Sequence, residues 1–246
     1  MKAIALDVRI AMGLWMIGVS ACSPDSPHGG GSTDGAATPS AVAAKASPSA
    51  SAAGTAGGSV PPPLTAAGEY GENVYDYAKA NDWKNAEARI ALLKTEVEHL
   101  RTLLAKPGAE VTRLDGDVVV LDRAVTAKDR RAAMLAANQA TRDVADMTAR
   151  YEPPVPVEVT RLDYDGRELE VWAEANDAPK LQATATEIRR DWDDLRSAVE
   201  ARNADQAKKF EALVGRVEKA RTPAEFARLA KSVLDEVDNL EKVFQP

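Results

Sequence analysis

Residues 84–104 read KNAEARIALLKTEVEHLRTLL, and residues 179–199 read PKLQATATEIRRDWDDLRSAV. In the first stretch Ala86, Ile90, Leu93, Val97, Leu100 and Leu104 advance by 4, 3, 4, 3 and 4 residues; in the second, Leu181, Ala185, Ile188, Trp192, Leu195 and Val199 keep the same steps. Steps of three and four place all six side chains on one stripe of a helix, the seam by which it buries itself against neighbours. The two stretches lie 95 residues apart, and the same shift lays Asn81-Asp82 on Asn176-Asp177. The chain is therefore predicted to be all-α, with one helical unit written twice.

Working outward, the correspondence continues. Leu114, Val118 and Leu121 match Phe210, Val214 and Val217 at a shift of 96, and Ala133, Ala137, Ala140, Val144, Met147 and Tyr151 match Phe226, Ala230, Val233, Val237, Leu240 and Phe244 at 93. Thr222-Pro223-Ala224-Glu225 has the chemistry of a helix start: a hydroxyl to cap, a proline at the first turn and an acid to complete a capping box. Thr126 and Asp129 are expected to repeat that design. Helices are predicted at 64–80, 84–104, 110–125 and 128–151, then at 158–175, 179–201, 204–220 and 223–244. Short-looped amphipathic helices of this length form up-down four-helix bundles, so bundle units are expected at 62–154 and 155–246.

One segment reads two ways. Val157 to Tyr164 and Arg167 to Trp172 alternate around Asp165-Gly166 as a hairpin would. Val159, Leu162, Gly166, Leu169 and Trp172 also share a helical face, and the equivalent Tyr70, Val74 and Tyr77 show no strand pattern, so helix is predicted. The aromatic residues Tyr75 and Trp83 have Glu170 and Ala178 as equivalents, so the common core does not demand them. Burial between the two units is expected for them, with an exposed contact patch as the alternative.

Ahead of the helices stand Lys2 and Arg9, the apolar run Ile10 to Val19, and Val19-Ser20-Ala21-Cys22. An apolar run this short does not span a bilayer, which takes about 20 residues. The arrangement resembles the signal peptide and lipobox of bacterial lipoproteins. That resemblance implies removal of residues 1–21, acyl chains on Cys22, and anchorage to a membrane of the cell envelope. Ser23, in place of the Asp that often retains lipoproteins at the inner membrane, points to the outer membrane, facing the periplasm. Residues 22–61 are almost wholly Ser, Ala, Gly, Pro and Thr and cannot bury enough apolar surface to order themselves. They are expected to be a disordered tether with an r.m.s. reach of about 34 Å.

Cys22 is the one cysteine, so disulfides, thiolate metal sites and thiol nucleophiles are excluded elsewhere. The net charge of −7 disfavours nucleic acid and bare anionic membrane as partners. Asp115, Asp117 and Asp122, then Asp191, Asp193 and Asp194, then Asp235, Glu236 and Asp238 fall off the apolar seams and are expected on solvated faces. The hydrophobic layers are expected to leave little room for a buried polar site. Glu96 and His99 form the Glu-x-x-His unit used by di-metal bundles, but the equivalent Asp191 to Asp194 lacks a histidine. They stand as candidate ion ligands only, and no cofactor, catalytic set or intact metal centre is predicted. The expected function is a non-catalytic envelope lipoprotein that binds or scaffolds another envelope protein or glycan through helical surfaces. The alternative is a periplasmic carrier or sensor of a metal ion or small ligand.

Overall fold

The computed structural model describes residues 58–103 and 108–245. The leader expected at 1–21, Cys22, most of the tether expected at 22–61, and Leu104 lie outside the described residues. Among the described residues the fold is all-helical: α1 (Pro62–Lys79), α2 (Trp83–Leu103), α3 (Ala109–Thr126), α4 (Arg130–Thr148), α5 (Val157–Ala175), α6 (Ala178–Glu200), α7 (Ala204–Val217) and α8 (Pro223–Phe244). The ambiguous segment at 157–172 is helix throughout.

In the first repeat α1 packs on α2 and α4, and α3 closes the ring between them; α5 to α8 repeat that order, with α5 on α6 and α8. The predicted seams point inward. Ala86, Ile90, Leu93, Val97 and Leu100 are buried, as are Leu181, Ala185, Ile188, Trp192, Leu195 and Val199. In addition α4 lies along α5, and the described residues fall within one compact unit, so the two repeats share a packed seam.

The Asn-Asp pairs show why the helices break where they do. Asn81 and Asn176 adopt left-handed backbone with φ of 58° and 55°, a conformation asparagine tolerates better than most residues. That turn lets the amides of Asp82 and Asp177 bond back to the carbonyls of Tyr77 and Trp172 at 2.8 and 3.0 Å. The same two aspartates then accept from the amides of Asn85 and Lys180 at 3.3 and 3.1 Å, capping α2 and α6. The capping box at Thr222 and Glu225 forms as predicted. Its expected partner differs: Thr126 stays inside α3, Lys128 takes the left-handed turn, and Asp129 itself caps α4 by accepting from the amide of Ala132.

The first and fourth helices of each repeat cross at a glycine. A Cβ on Gly71 would lie 2.3 Å from Thr141 Oγ1, and one on Gly166 would lie 2.8 Å from Leu234 Cδ2 and 3.1 Å from Val233 Cγ1. Gly71 and Gly166 are equivalent at the shift of 95, and Thr141 and Leu234 at 93, so the crossing is duplicated with the sequence. By contrast, a Cβ on Gly116 or Gly215 would meet nothing within 4 Å. The substitution Gly→Ala should therefore change sign with position. Gly116→Ala and Gly215→Ala should stabilise by about 0.5–1 kcal/mol through helix propensity. Gly71→Ala should destabilise by roughly 1–3 kcal/mol, because the β-branched, buried Thr141 has no free direction to move, and Gly166→Ala by less, because the end of Leu234 can swing. Urea titrations of the four variants check this order.

Candidate functional site

α5 is enclosed on nearly every side. Its buried residues include the apolar Val159, Leu162, Leu169, Val171 and Trp172 and also Asp163, Asp165, Arg167 and Glu168. Two polar flanks result, one facing α1 and α8, the other facing α4 and α6.

On the α1 flank, Arg167 is the centre. Its guanidinium lies 3.3 Å from Asp163 and 3.5 Å from Asp76, and 4.6 Å from the ring centroid of Tyr75. Tyr75, fully buried, donates its hydroxyl to Glu170 at 3.0 Å, and Lys79 reaches the same carboxylate. Tyr75 is thus buried between the repeats and paired with its own sequence equivalent, and Trp83 packs half-buried against the core. Burial outweighs the pull of Arg167 on Asp163 and raises its carboxyl to about 7. Glu72, at the floor of an apolar hollow of about 270 Å³ between α1 and α4, is pushed well above the usual carboxylate range, again mainly by burial.

On the α4 and α6 flank, a cavity of about 440 Å³ opens along the seam, lined from α3, α4, α5 and α6. Its carboxylates are largely committed. Asp143 accepts from Arg113 at 2.8 Å and from Gln139 at 3.1 Å; Asp146 accepts from Arg161 at 3.0 Å; Glu187 pairs with Arg190. Glu168 accepts from the Trp172 indole N–H and, at 3.5 Å, from the Thr184 hydroxyl. Asp165 differs: it is wholly buried, neither oxygen has a hydrogen-bond partner, and burial together with neighbouring Asp191 raises it well above the usual range. Two cations in the lining are uncommitted. Arg142 lies 4.4 Å over the Tyr164 ring and Lys180 lies 5.3 Å over the Trp172 ring, both half-buried, and among the described residues neither makes an ion pair.

These placements correct two expectations. Asp191, expected on a solvated face, is 1 % exposed beside the seam, and a buried polar site exists where close-packed layers were expected to exclude one. Asp193 and Asp235 do sit on outward faces, pairing with Arg189 and Lys231 one turn away. Glu96 and His99 are brought together at 2.9 Å on α2, with the histidine side chain 57 % exposed. Among the described residues no group of three or more His, Cys, Asp or Glu is placed to hold a metal ion.

The signal for the seam was present in α5 itself. Its apolar residues fall on more than one helical face, which is why it imitates a strand; a helix that is apolar on several faces is buried on several faces. Charges in the middle of such a helix are then buried, as Asp163, Asp165, Arg167 and Glu168 are, while Glu174 near its end is exposed. Compared with known proteins, the chain matches no family model, no curated protein and no solved structure.

The raised carboxyls set the pH response. Asp163 keeps its proton in the folded state up to about pH 7, whereas the unfolded chain releases it near the ordinary aspartate value of 3.8, so this contribution weakens the fold as pH rises across that window. Asp165 and Glu72 act in the same direction. Thermal melts should give a lower Tm at pH 8 than at pH 5. Asp165→Asn, which keeps the shape and removes the titration, should raise Tm at pH 8 by on the order of 5 °C and flatten the pH slope. An unchanged slope would remove Asp165 from the account.

Proposed function

We propose that this protein is a non-catalytic, lipid-anchored binding module of the bacterial envelope, and that the seam between its repeats is where a small ligand sits. The observation that carries the reading is the cavity of about 440 Å³ at that seam, within the size range of small-molecule sites, with Arg142 and Lys180 in its wall making no ion pair among the described residues. The committed pairing of the surrounding carboxylates suits holding a ligand in one orientation more than turning it over. The lipobox-like Val19-Ser20-Ala21-Cys22 supports attachment to the membrane, and the composition of the following segment suits a tether that lets the helical part stand off it.

A second reading, scaffolding of another envelope component, draws support from a separate observation. Among the described residues the exposed large apolar side chains, Leu92, Leu103, Val119 and Val120, are confined to α2 and α3. Such a pair of helices can offer an apolar contact face.

Two measurements separate these ideas. Native mass spectrometry of the full chain extracted from membranes in detergent should show a stoichiometric small-molecule adduct; a bare lipidated mass would favour scaffolding. Cys22→Ser should move the protein from the membrane to the soluble fraction, and continued membrane partition would defeat the anchor.

A further inference from the structure

The chemistry of the seam cavity selects among ligands. We infer that it binds a small organic oxyanion, a carboxylate or a phosphate ester, held between the Arg142 guanidinium and the Lys180 ammonium. This inference rests on the reading of the seam as a ligand site and adds the ligand's charge and the residues that grip it.

The argument is one of unmet demand. Arg142 and Lys180 come from different repeats, on α4 and on the first turn of α6, and line the same cavity. Each has given up part of its hydration to sit against an aromatic ring, and among the described residues neither makes a close ion pair, although Asp165, Asp146 and Asp191 act on Arg142 at longer range. A ring face offsets less of a cation's lost hydration than a close, hydrogen-bonded counter-charge does. The carboxylates nearby make their close contacts elsewhere: Asp143, Asp146 and Glu187 with Arg113, Arg161 and Arg190, Asp191 with Arg190, and Glu168 with the Trp172 indole and the Thr184 hydroxyl. Asp165 adds a third unmet group. Neither of its buried oxygens at the cavity wall has a hydrogen-bond partner, and burial pushes the carboxyl toward the protonated form, in which it can donate. An oxyanion has lone pairs enough to accept from all three. A cationic ligand would leave Arg142 and Lys180 unmet and add a like charge beside them.

Isothermal titration of the full chain in detergent, stripped of bound small molecules, tests this with probes of opposite sign: succinate and glycerol 1-phosphate as oxyanions, succinamide as the neutral match, and 1,4-diaminobutane as the cation. Saturable binding of succinate or glycerol 1-phosphate is expected, with succinamide and the diamine inert; the stronger of the two oxyanions identifies the head group. Arg142→Gln and Lys180→Gln should each weaken binding about tenfold or more. Arg142→Lys should retain part of it, and Lys94→Gln, on the exposed Lys94–Asp122 pair of α2, should change nothing. Far-ultraviolet melts confirm that each variant folds, and the two Gln variants, on different helices, test the grip independently. Binding of the diamine alone would overturn the oxyanion inference while leaving the seam a ligand site. Oxyanion binding indifferent to both Gln substitutions would overturn the placement. Silence from all four probes would overturn the inference and the small-ligand reading together.

Discussion

The duplicated crossing of first and fourth helices at a glycine is the constraint on which the rest depends. Removing one Cβ lets α1 lie flush on α4 through Gly71 and Thr141, and α5 on α8 through Gly166 and Leu234. The backbone can approach this closely only without a side chain in the way, and the close approach is what closes each ring of four. With the rings closed, α4 is left to meet α5, and the seam between the repeats exists.

That seam is expensive in the usual currency of folding. Buried carboxyls and guanidinium groups along α5 lose hydration that their neighbours only partly replace, and apolar side chains of equal volume would hold two bundles together at least as well. The second repeat shows the alternative within the same molecule. Trp192 packs on Phe210 at 4.7 Å, its indole N–H donates to Glu211, and Arg189 clasps that carboxylate at the surface, lowering it to about 2. There polar groups are satisfied and placed at the edge of an apolar core. The contrast separates polar groups whose hydrogen-bonding capacity is met at a core edge from those of the seam, where part of it is left unmet.

Much of the fold was legible in the sequence because it rests on local rules. The three-four spacing gave the seams of α2 and α6, and the Asn-Asp pairs gave the breaks, since one residue ends a helix and the next begins another. The cap of α4 was misplaced by three residues because a left-handed Lys128 leaves no compositional mark. The seam was harder to read for a different reason. Periodicity reports which face of a helix is buried inside its own bundle, but whether the opposite face is covered depends on a neighbour from another repeat. Asp191 and Asp165 are buried where Arg142 of α4 comes near them both, a neighbour from the other repeat. The apolar surplus of α5 was the one local hint, and it presented itself as a hairpin.

The enclosure of α5 also bears on how the molecule comes apart. By sequence this helix opens the second repeat; by packing it belongs to both, touching α4 and, through Arg167 and Glu170, α1 as well as α6 and α8. Repeat proteins ordinarily melt in pieces, because each unit is coupled to its neighbour through a modest interface. Here, separating the repeats would strip an already formed bundle of the cover over one of its own core helices, leaving the charges buried at the seam facing water. The duplicated chain should consequently lose its structure in one concerted transition, its two copies fused by a shared helix into a single cooperative body.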